Sequence, residues 1–191
     1  SGDAGVQRVR KYIERTKIEV LVNNAGFGCY GDFDKSPIDK LLEMTRLNCE
    51  ALTSLSHCFL QTAVSGDSLI NVASTASFQA IPYSALYAAT KAYVLSLTEA
   101  LSFEVKSRNI YVLALCPGPT VTEFAKRAGI TNLSYKKLAQ SAEEVVDSAM
   151  HAFEKRSPTV LITGVRNKMV KEVQRFFPRS TVVSLAGRMF D

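Results

Sequence analysis

Four short apolar runs, separated by longer stretches of helical pattern, constrain the fold of this chain more than any other sequence feature. They span residues 19–22, 68–73, 110–115 and 159–162. Each run is close to continuously apolar, as strands are when helices cover both faces of their sheet. Strands that alternate with helices are typical of a parallel sheet with helical crossovers. The sequence therefore predicts an α/β fold with a doubly wound parallel sheet and helices on both faces.

Helical periodicity fills the intervals between these runs. It is predicted for residues 6–16, 36–63, 86–106, 141–153, 167–177 and a last amphipathic stretch to 190, with a break near Asn48. Ser36 before Pro37 indicates an N-cap followed by the first helical position, and Ser141 with Glu144 forms a capping box. No repeat, low-complexity segment or linker divides the chain, so residues 1–191 are expected to form a single domain.

Composition narrows the function classes. Hydrophobic residues make up 47% and charged residues 21%, a balance typical of globular domains. The basic residues behind the net charge of +5 are scattered and do not interleave with aromatics, so no nucleic-acid partner is expected. Four cysteines without CxxC spacing and two distant histidines predict no metal site.

Targeting signals are missing from the printed sequence. Its first residues lack the basic and apolar segments of a signal peptide. No stretch reaches the ~18 consecutive apolar residues of a transmembrane helix. We therefore expect a cytoplasmic protein with no membrane partner.

Tyr87 and Lys91 lie four residues apart at the start of the predicted helix 86–106. That spacing places both side chains on one helical face, one turn apart. A positive charge beside a phenol favours the phenolate and so lowers the pKa of the tyrosine. Ser74, thirteen residues before Tyr87 at the end of a predicted strand, adds a hydroxyl that can hold a substrate oxygen. Together the three side chains can exchange a proton with a bound substrate, which predicts an enzyme.

Further elements stand in a fixed order around these residues. Asn-Asn-Ala-Gly at 23–26 follows the first run, Asn48 comes 25 residues after Asn23, and Pro117-Gly118 ends the third run. In this order the elements resemble the short-chain dehydrogenase/reductase family, whose Rossmann-like fold agrees with the predicted sheet. The resemblance covers residues 6–165. Residues beyond 165 are most similar to the C terminus of ketone reductases in the family's DltE-like and hydroxysteroid-dehydrogenase-like branch.

The resemblance implies an oxidoreductase that transfers a hydride between NAD(P)(H) and a carbonyl or alcohol substrate. Tyr87 would exchange a proton with the substrate oxygen, and Ser74 would orient the carbonyl. Lys91 would lower the tyrosine pKa and bind the nicotinamide ribose. Asn48 would bend its helix and hold a water through its backbone. The implied catalytic residues are thus Asn48, Ser74, Tyr87 and Lys91.

The implied cofactor is NAD(P), with NADP slightly favoured. Its contacts in the family map onto Asn23, Ala25, Gly26, Tyr87, Lys91, Pro117, Gly118, Thr120 and Thr122. The first three belong to a turn that stabilises the sheet and lies along the adenosine side. Pro117 and Gly118 would pass beside the nicotinamide, where glycine permits close approach of the backbone. Thr120 and Thr122 would bind the carboxamide and the phosphates.

Nearby hydroxyls compete for these roles. Only Ser74 has the family's spacing to Tyr87, and Tyr83 and Tyr93 lack a lysine four residues later. Ser77 stands where the family often has glycine, a departure expected to affect loop shape rather than chemistry.

The main departure from the family lies at the start of the sequence. A strand followed by a TGxxxGxG turn is not found, and Gly2 and Gly5 follow no strand. Because that turn normally holds the pyrophosphate, we expect the chain to be part of a longer protein, with the N-terminal strands absent from the printed sequence. The run at 19–22 would then form an unpaired hydrophobic edge. The residue that separates NAD from NADP would lie in the absent segment.

Three functions remain open from the sequence. The first is reduction of a hydrophobic ketone, favoured by an apolar segment at 122–140 that resembles the family's substrate lid and contains Phe124, Ala128, Ile130, Leu133 and Tyr135. The alternative interpretation of that segment is packing that only shields the site from solvent. The second is an inactive fragment or a non-enzymatic interaction module of the same fold. The third is an epimerase or dehydratase, which the 23–26 turn and Asn48 argue against.

The expected partners are a small carbonyl substrate and further copies of the chain in a homo-dimer or homo-tetramer. Residues 176–190 are expected to form a subunit contact rather than a membrane-surface helix.

Overall fold

The computed structural model describes residues 2–130 and 139–190. Its sheet has four strands: β1 Val20–Asn23, β2 Ser68–Val72, β3 Tyr111–Cys116 and β4 Val160–Ile162. Neighbours pair in parallel in the order β1-β2-β3-β4. The four predicted runs are therefore the four strands, and the predicted parallel α/β fold is confirmed. The predicted lid residues Leu133 and Tyr135 lie outside the described residues.

Helices connect consecutive strands. The α-helices are α1 Gly2–Arg15, α2 Ile38–Thr45, α3 Leu52–Thr62, α4 Ala85–Glu104, α5 Phe124–Ala128, α6 Ala142–Lys155, α7 Val165–Gln174 and α8 Arg179–Phe190. A π-helical turn, Arg46–Ala51, joins α2 to α3 at the predicted break near Asn48. Short 3-10 turns at Thr75–Phe78 and Lys106–Arg108 precede and follow α4. Within residues 2–130 and 139–190, no helix is both long and apolar enough to cross a membrane.

The two capping predictions have opposite outcomes. Ser141 is the N-cap of α6: its hydroxyl accepts from Glu144 N while the Glu144 carboxylate accepts from Ser141 N. At α2 the prediction is wrong by one residue, because Pro37 takes the cap position and the helix begins at Ile38. The Ser36 hydroxyl instead donates to the carbonyl of Asp32 at 2.9 Å, a local bond that competes with capping.

Alternate side chains of the strands pack against helices on opposite faces of the sheet. On one face, Leu69 of β2 packs with Phe59 of α3, and α4 covers the neighbouring part. On the other face, Leu113 of β3 packs with Val145 of α6. Leu69, Leu113 and Phe59 are completely buried, so truncating any of them to alanine should cost about 2–5 kcal/mol.

β1 lies at one edge of the sheet and pairs with β2 along one side. The strand that the sequence predicts at a hydrophobic edge is therefore an edge strand of this sheet. The other side of β1 carries no strand among residues 2–130 and 139–190, and Val20 and Val22 are 39% and 51% exposed. A hydrophobic edge of this kind is a template for a further strand.

Candidate active site

The carboxyl ends of parallel strands gather three predicted site residues along one edge of the sheet. Asn23 ends β1, Ser74 follows β2, and Pro117 follows β3. Thr75 N donates to Pro117 O at 2.9 Å, which holds the second and third strand ends together. Ligands of open parallel sheets bind at this edge.

Lys91 reaches from α4 to the end of β2. Its Nζ donates to Val72 O at 2.7 Å and lies 5.9 Å from the centroid of the Tyr87 ring. Only 6% of Lys91 is exposed. Burial lowers the pKa of Lys91 to about 8, and the nearby thiols of Cys49 and Cys116 oppose that shift. The ammonium is therefore held inside the protein, close to the tyrosine ring.

An apolar slot holds the Tyr87 ring. The ring centroids of Tyr87 and Phe124 are 5.4 Å apart, with an angle of 50° between the planes. A Cβ atom at Gly28 would lie 2.9 Å from Phe124 and 3.4 Å from Tyr87, so both rings approach a bare backbone there. Gly28 was not predicted to belong to the site, and Phe124 was predicted only as part of the lid.

Ser74 is the N-cap of the 3-10 turn Thr75–Phe78. Its Oγ accepts from Ala76 N at 3.1 Å and donates to Pro117 O at 3.5 Å. The second bond is long and therefore weak, so this hydroxyl can turn toward a substrate oxygen at little cost. The competing Ser77 is engaged elsewhere, because its Oγ donates to Lys91 O at 2.8 Å and ties the turn to α4.

Asn48 lies in the π-helical turn and joins the loop after β1 to α4. Its Oδ1 accepts from Phe27 N at 3.1 Å, and its Nδ2 donates to Phe27 O at 3.0 Å and to Thr90 Oγ1 at 3.1 Å. The Thr90 hydroxyl donates in turn to Tyr87 O at 2.8 Å. Asn48 is thus connected through its side chain to the helical turn that carries Tyr87 and Lys91. The backbone role that the resemblance implied for it stays a prediction.

Sequence comparison identifies the family to which this arrangement belongs. A family model described as short chain dehydrogenase matches residues 2–132. The chain belongs to the short-chain dehydrogenase/reductase family. Among its relatives, the 7beta-hydroxysteroid dehydrogenase of Clostridium sardiniense is 24% identical over 186 residues, which cover 95% of this chain and 70% of that enzyme. The 7beta-hydroxysteroid dehydrogenase of Mediterraneibacter gnavus is 30% identical over 145 residues, which cover 73% of this chain and 54% of that enzyme.

Solved structures of short-chain dehydrogenases superpose on the chain. The enzyme from Sphingobium yanoikuyae, in complex with NADPH, does so with a TM-score of 0.76 at 28% identity, over 91% of this chain and 70% of that one. The chain thus spans about half to seven tenths of the length of these relatives.

In this short-chain dehydrogenase the loop after β3 is clamped by Gln140. Gln140 N donates to Pro119 O at 2.9 Å, and Gln140 O accepts from Val121 N at 2.8 Å. Its Oε1 accepts from Thr163 Oγ1 at 2.7 Å and from Asn167 Nδ2 at 3.4 Å. The loop after β3, for which contact with the nicotinamide stays a prediction, is therefore tied to the end of β4 and the start of α7.

Asn167 lies directly against Gly118. A Cβ atom at Gly118 would come within 2.3 Å of Asn167 Nδ2, so only glycine fits while Asn167 holds its place. Asn167 is itself fixed, because Nδ2 donates to Thr163 O at 2.8 Å. The clamp residues Gln140, Thr163 and Asn167 were not predicted as part of the site.

Thr120 and Thr122 use their hydroxyls within the chain. Thr120 Oγ1 donates to Gly118 O at 3.0 Å, and Thr122 Oγ1 accepts from Phe124 N at 3.2 Å. Both bonds shape the loop that leads to α5. Their implied contacts with the carboxamide and the phosphates stay predictions.

Asn23 faces the interior of the sheet. Its Nδ2 donates to Ser56 Oγ at 3.0 Å and to Asn71 Oδ1 at 2.9 Å, and Asn71 Nδ2 donates to Thr98 Oγ1 at 3.0 Å. This buried network joins β1 and β2 to α3 and α4. These contacts of Asn23 stabilise the sheet. Ala25, in the same turn, is exposed.

The two competing tyrosines have other surroundings. Tyr93 lies on the outer face of α4, where its hydroxyl hydrogen-bonds to Thr53 Oγ1 at 2.8 Å. Tyr83 precedes α4 in a left-handed conformation, φ 60°, and its ring centroid is 6.2 Å from that of Tyr30.

The carboxyl edge fits the nicotinamide end of NAD(P). A Cβ atom at Gly26 would lie 2.9 Å from Asn48 Oδ1 and 3.6 Å from Lys91 Nζ, so glycine keeps the approach to the ammonium clear. Lys91 is a cationic donor suited to ribose hydroxyls. Among residues 2–130 and 139–190, no group of three His, Cys, Asp or Glu side chains is placed to hold a metal ion.

Proposed function

We propose that this chain carries the proton-transferring part of an NAD(P)-dependent reductase of hydrophobic ketones, or dehydrogenase of the matching alcohols. The observation that carries the proposal is the buried Lys91 ammonium, 5.9 Å from the Tyr87 ring. A buried cation beside a phenol favours the phenolate, which is the arrangement that proton exchange with a carbonyl oxygen needs.

In the proposed reaction each side chain has one task. Tyr87 gives a proton to the carbonyl oxygen during reduction and takes it back during oxidation. Ser74 holds that oxygen by giving up its weak bond to Pro117 O. Lys91 supplies the positive charge, and Asn48 positions the turn of α4 through Thr90. When bound, the nicotinamide supplies or accepts the hydride.

Cofactor contacts are proposed for Tyr87, Lys91 and the loop 117–122, with Asn23, Ala25 and Gly26 on the adenosine side. NADP is favoured, because the Sphingobium relative is described in complex with NADPH and a 29% identical relative is the NADPH-dependent 3-dehydrocapnine reductase of Ornithobacterium rhinotracheale. The hydroxysteroid dehydrogenases among the relatives support a bulky apolar carbonyl as the substrate. Phe124 beside Tyr87 gives such a carbonyl an apolar neighbour.

The experiment is an assay of NADPH oxidation with a panel of steroid, aromatic and acyl ketones. Tyr87→Phe should abolish turnover while the circular dichroism spectrum is unchanged. Tyr93→Phe is the matched control, since it removes a surface hydroxyl from the same helix and should keep full activity. Turnover that survives Tyr87→Phe would refute the mechanism.

Cofactor binding can be measured apart from turnover. A ligand that binds only the native state raises the melting temperature, so NADPH should raise it in the wild type. Lys91→Met should diminish the increase. If neither NADPH nor NADH changes the melting temperature, the chain would instead be a non-enzymatic interaction module of this fold.

We also propose a single Rossmann-like domain, located in the cytoplasm, that forms a homo-oligomer. An apolar groove of about 530 Å³ between α3 and α4, with Leu60, Leu97 and Leu101 in its lining, supports self-association there. Light scattering on the purified chain tests this, and Leu101→Glu should convert any oligomer into monomers.

A further inference from the structure

Helix α7 presents its apolar side to solvent and its polar side to the protein. Asn167, Lys171 and Gln174 form the inward side and are half-buried. Asn167 Nδ2 donates to Thr163 O, and Lys171 Nζ lies 5.9 Å from the centroid of the Phe78 ring. This is the reverse of the usual helix at a protein surface, whose apolar stripe faces the core.

The outward side of α7 is a broad apolar stripe. At 100° per residue it covers an arc of about 140°, within which the exposed Arg166 also falls. Its members are all more than half exposed: Val165, Met169, Val170 and Val173. Single exposed apolar side chains are ordinary, but a contiguous set marks a contact surface.

Further exposed apolar side chains follow along the chain, in the turn after α7 and in α8. Phe176 is 86% exposed, Phe177 follows it, and Leu185 of α8 is also exposed. We name the exposed apolar set the α7–α8 surface: Val165, Met169, Val170, Val173, Phe176, Phe177 and Leu185. It is held on the body of the protein, since Ala186 of α8 is buried and Gly187 lies against Pro82.

The net charge of the chain is concentrated in the same segment. Residues 165–190 contain one acidic residue, Glu172, and six basic ones: Arg166, Lys168, Lys171, Arg175, Arg179 and Arg188. The remainder of the chain has seventeen basic and seventeen acidic residues, so the whole excess of +5 belongs to residues 165–190. Five of these six basic residues are exposed and Lys171 is half-buried, so the segment that exposes the apolar side chains also exposes most of its cations.

We propose that the α7–α8 surface docks on an anionic lipid bilayer. Phenylalanine and aliphatic side chains that insert shallowly, beside lysines and arginines that meet lipid phosphates, are the composition of interfacial helices. A second copy suits the surface less well. A two-fold contact brings the same patch of both subunits together, so the basic residues of one copy would face those of the other. The sequence alone favours a subunit contact at 176–190; the burial and charge of the surface favour lipid.

A tryptophan probe tests the insertion directly. The chain has no tryptophan, so Phe176→Trp introduces a single fluorophore at the exposed turn. Its emission should shift to shorter wavelength with vesicles of phosphatidylcholine and phosphatidylglycerol, and should stay unchanged with phosphatidylcholine alone. Phe103→Trp is the matched control, because Phe103 on α4 is 82% exposed and its emission should not respond.

Vesicle co-sedimentation of the 191-residue chain tests the two components separately. The double variants Phe176→Ser/Phe177→Ser and Lys168→Glu/Arg179→Glu should each weaken partition into anionic vesicles by about tenfold or more. Higher salt should weaken wild-type binding as well. Phe103→Ser and Lys126→Glu make the same kinds of change, one residue at a time, outside residues 165–190 and should leave partition within about twofold of wild type.

Two results would overturn the proposal. One is wild-type protein that fails to sediment with anionic vesicles, or that sediments equally with neutral ones. The other is a wild-type dimer, seen by light scattering, that Phe176→Ser/Phe177→Ser converts into a monomer, which would assign the surface to a second copy of the chain.

Discussion

The side-chain amide of Asn48 exchanges two hydrogen bonds with the backbone of Phe27. Oδ1 accepts from Phe27 N and Nδ2 donates to Phe27 O. The loop after β1 is thereby fixed to the π-helical turn, and Thr90 extends the connection to α4. The position of Gly26 relative to α4, which carries Tyr87 and Lys91, therefore depends on this side chain.

Asn48→Ala should therefore destabilise the fold. It leaves the N–H and the carbonyl of Phe27 without their partner, and a buried group left unpaired costs about 1–3 kcal/mol. We expect the free energy of unfolding in urea to fall by about 2–4 kcal/mol. Asn24→Ala, at an exposed position, should change it by less than about 0.5 kcal/mol. Equal stability of the two variants would contradict the role given to Asn48.

Gly26→Ala should destabilise the protein where Gly5→Ala stabilises it. An added Cβ at Gly26 would lie 2.9 Å from Asn48 Oδ1, whereas one at Gly5 in α1 meets nothing within 4 Å. We expect losses of about 1–3 kcal/mol at Gly26 and gains of about 0.5–1 kcal/mol at Gly5. Thermal unfolding of both variants measures the contrast, and a stabilised Gly26→Ala would disprove the contact.

The contact between Gly118 and Asn167 predicts strong coupling between two substitutions. All three nearest atoms to a Cβ at Gly118 belong to the Asn167 side chain. Gly118→Ala should cost about 1–3 kcal/mol alone and clearly less in an Asn167→Ala background. A double-mutant cycle from urea unfolding gives the interaction energy, which should exceed about 0.5 kcal/mol. Simple additivity would mean that another group blocks position 118.

The buried Lys91 predicts stability that rises with pH in the alkaline range. Its pKa is lowered from 10.5 to about 8 by burial. Between those values the unfolded chain binds more protons than the folded one, so the free energy of unfolding increases with pH there. Below pH 8 both states are protonated and the full cost of burying the charge is present.

Lys91→Met isolates this effect. Alkaline groups far from Lys91 are common to both proteins, so the difference in unfolding free energy between wild type and variant reports Lys91 and the groups coupled to it, Cys49, Cys116 and Tyr87. The free energy of unfolding of the wild type should rise relative to that of Lys91→Met by about 2–3 kcal/mol between pH 8 and 10.5. A difference that is flat across this window would show that Lys91 keeps its ordinary pKa in the folded protein.

Features set by neighbours along the chain were predictable. The four apolar runs became the four strands, the box of Ser141 and Glu144 formed as expected, and the spacing of Tyr87 and Lys91 placed them one turn apart. At Ser36 the same local rule failed: Pro37 takes the cap position, and the Ser36 hydroxyl donates to Asp32 O.

Features that depend on distant segments were not predictable in this way. Thr90 is part of the site only because Asn48, 42 residues earlier, donates a hydrogen bond to it. Asn167 and Gln140 are 27 residues apart and meet at Gly118 only once β4 lies beside β3. The inward side of α7 is polar, against the usual relation between hydrophobicity and burial, so periodicity located the helix without showing which side faces the protein.

The π-helical turn Arg46–Ala51 holds one residue more than the α-helical turn it replaces, because its hydrogen bonds span five residues rather than four. An insertion of that kind is absorbed locally and leaves the helices on either side in phase. Deleting one residue from Arg46–Ala51 would let α2 and α3 merge into a continuous α-helix with Met44 and Phe59 still in the core. It would also turn Asn48 away from Phe27. The length of this one turn therefore decides whether Asn48 reaches Phe27, while the helices on either side keep their inward faces.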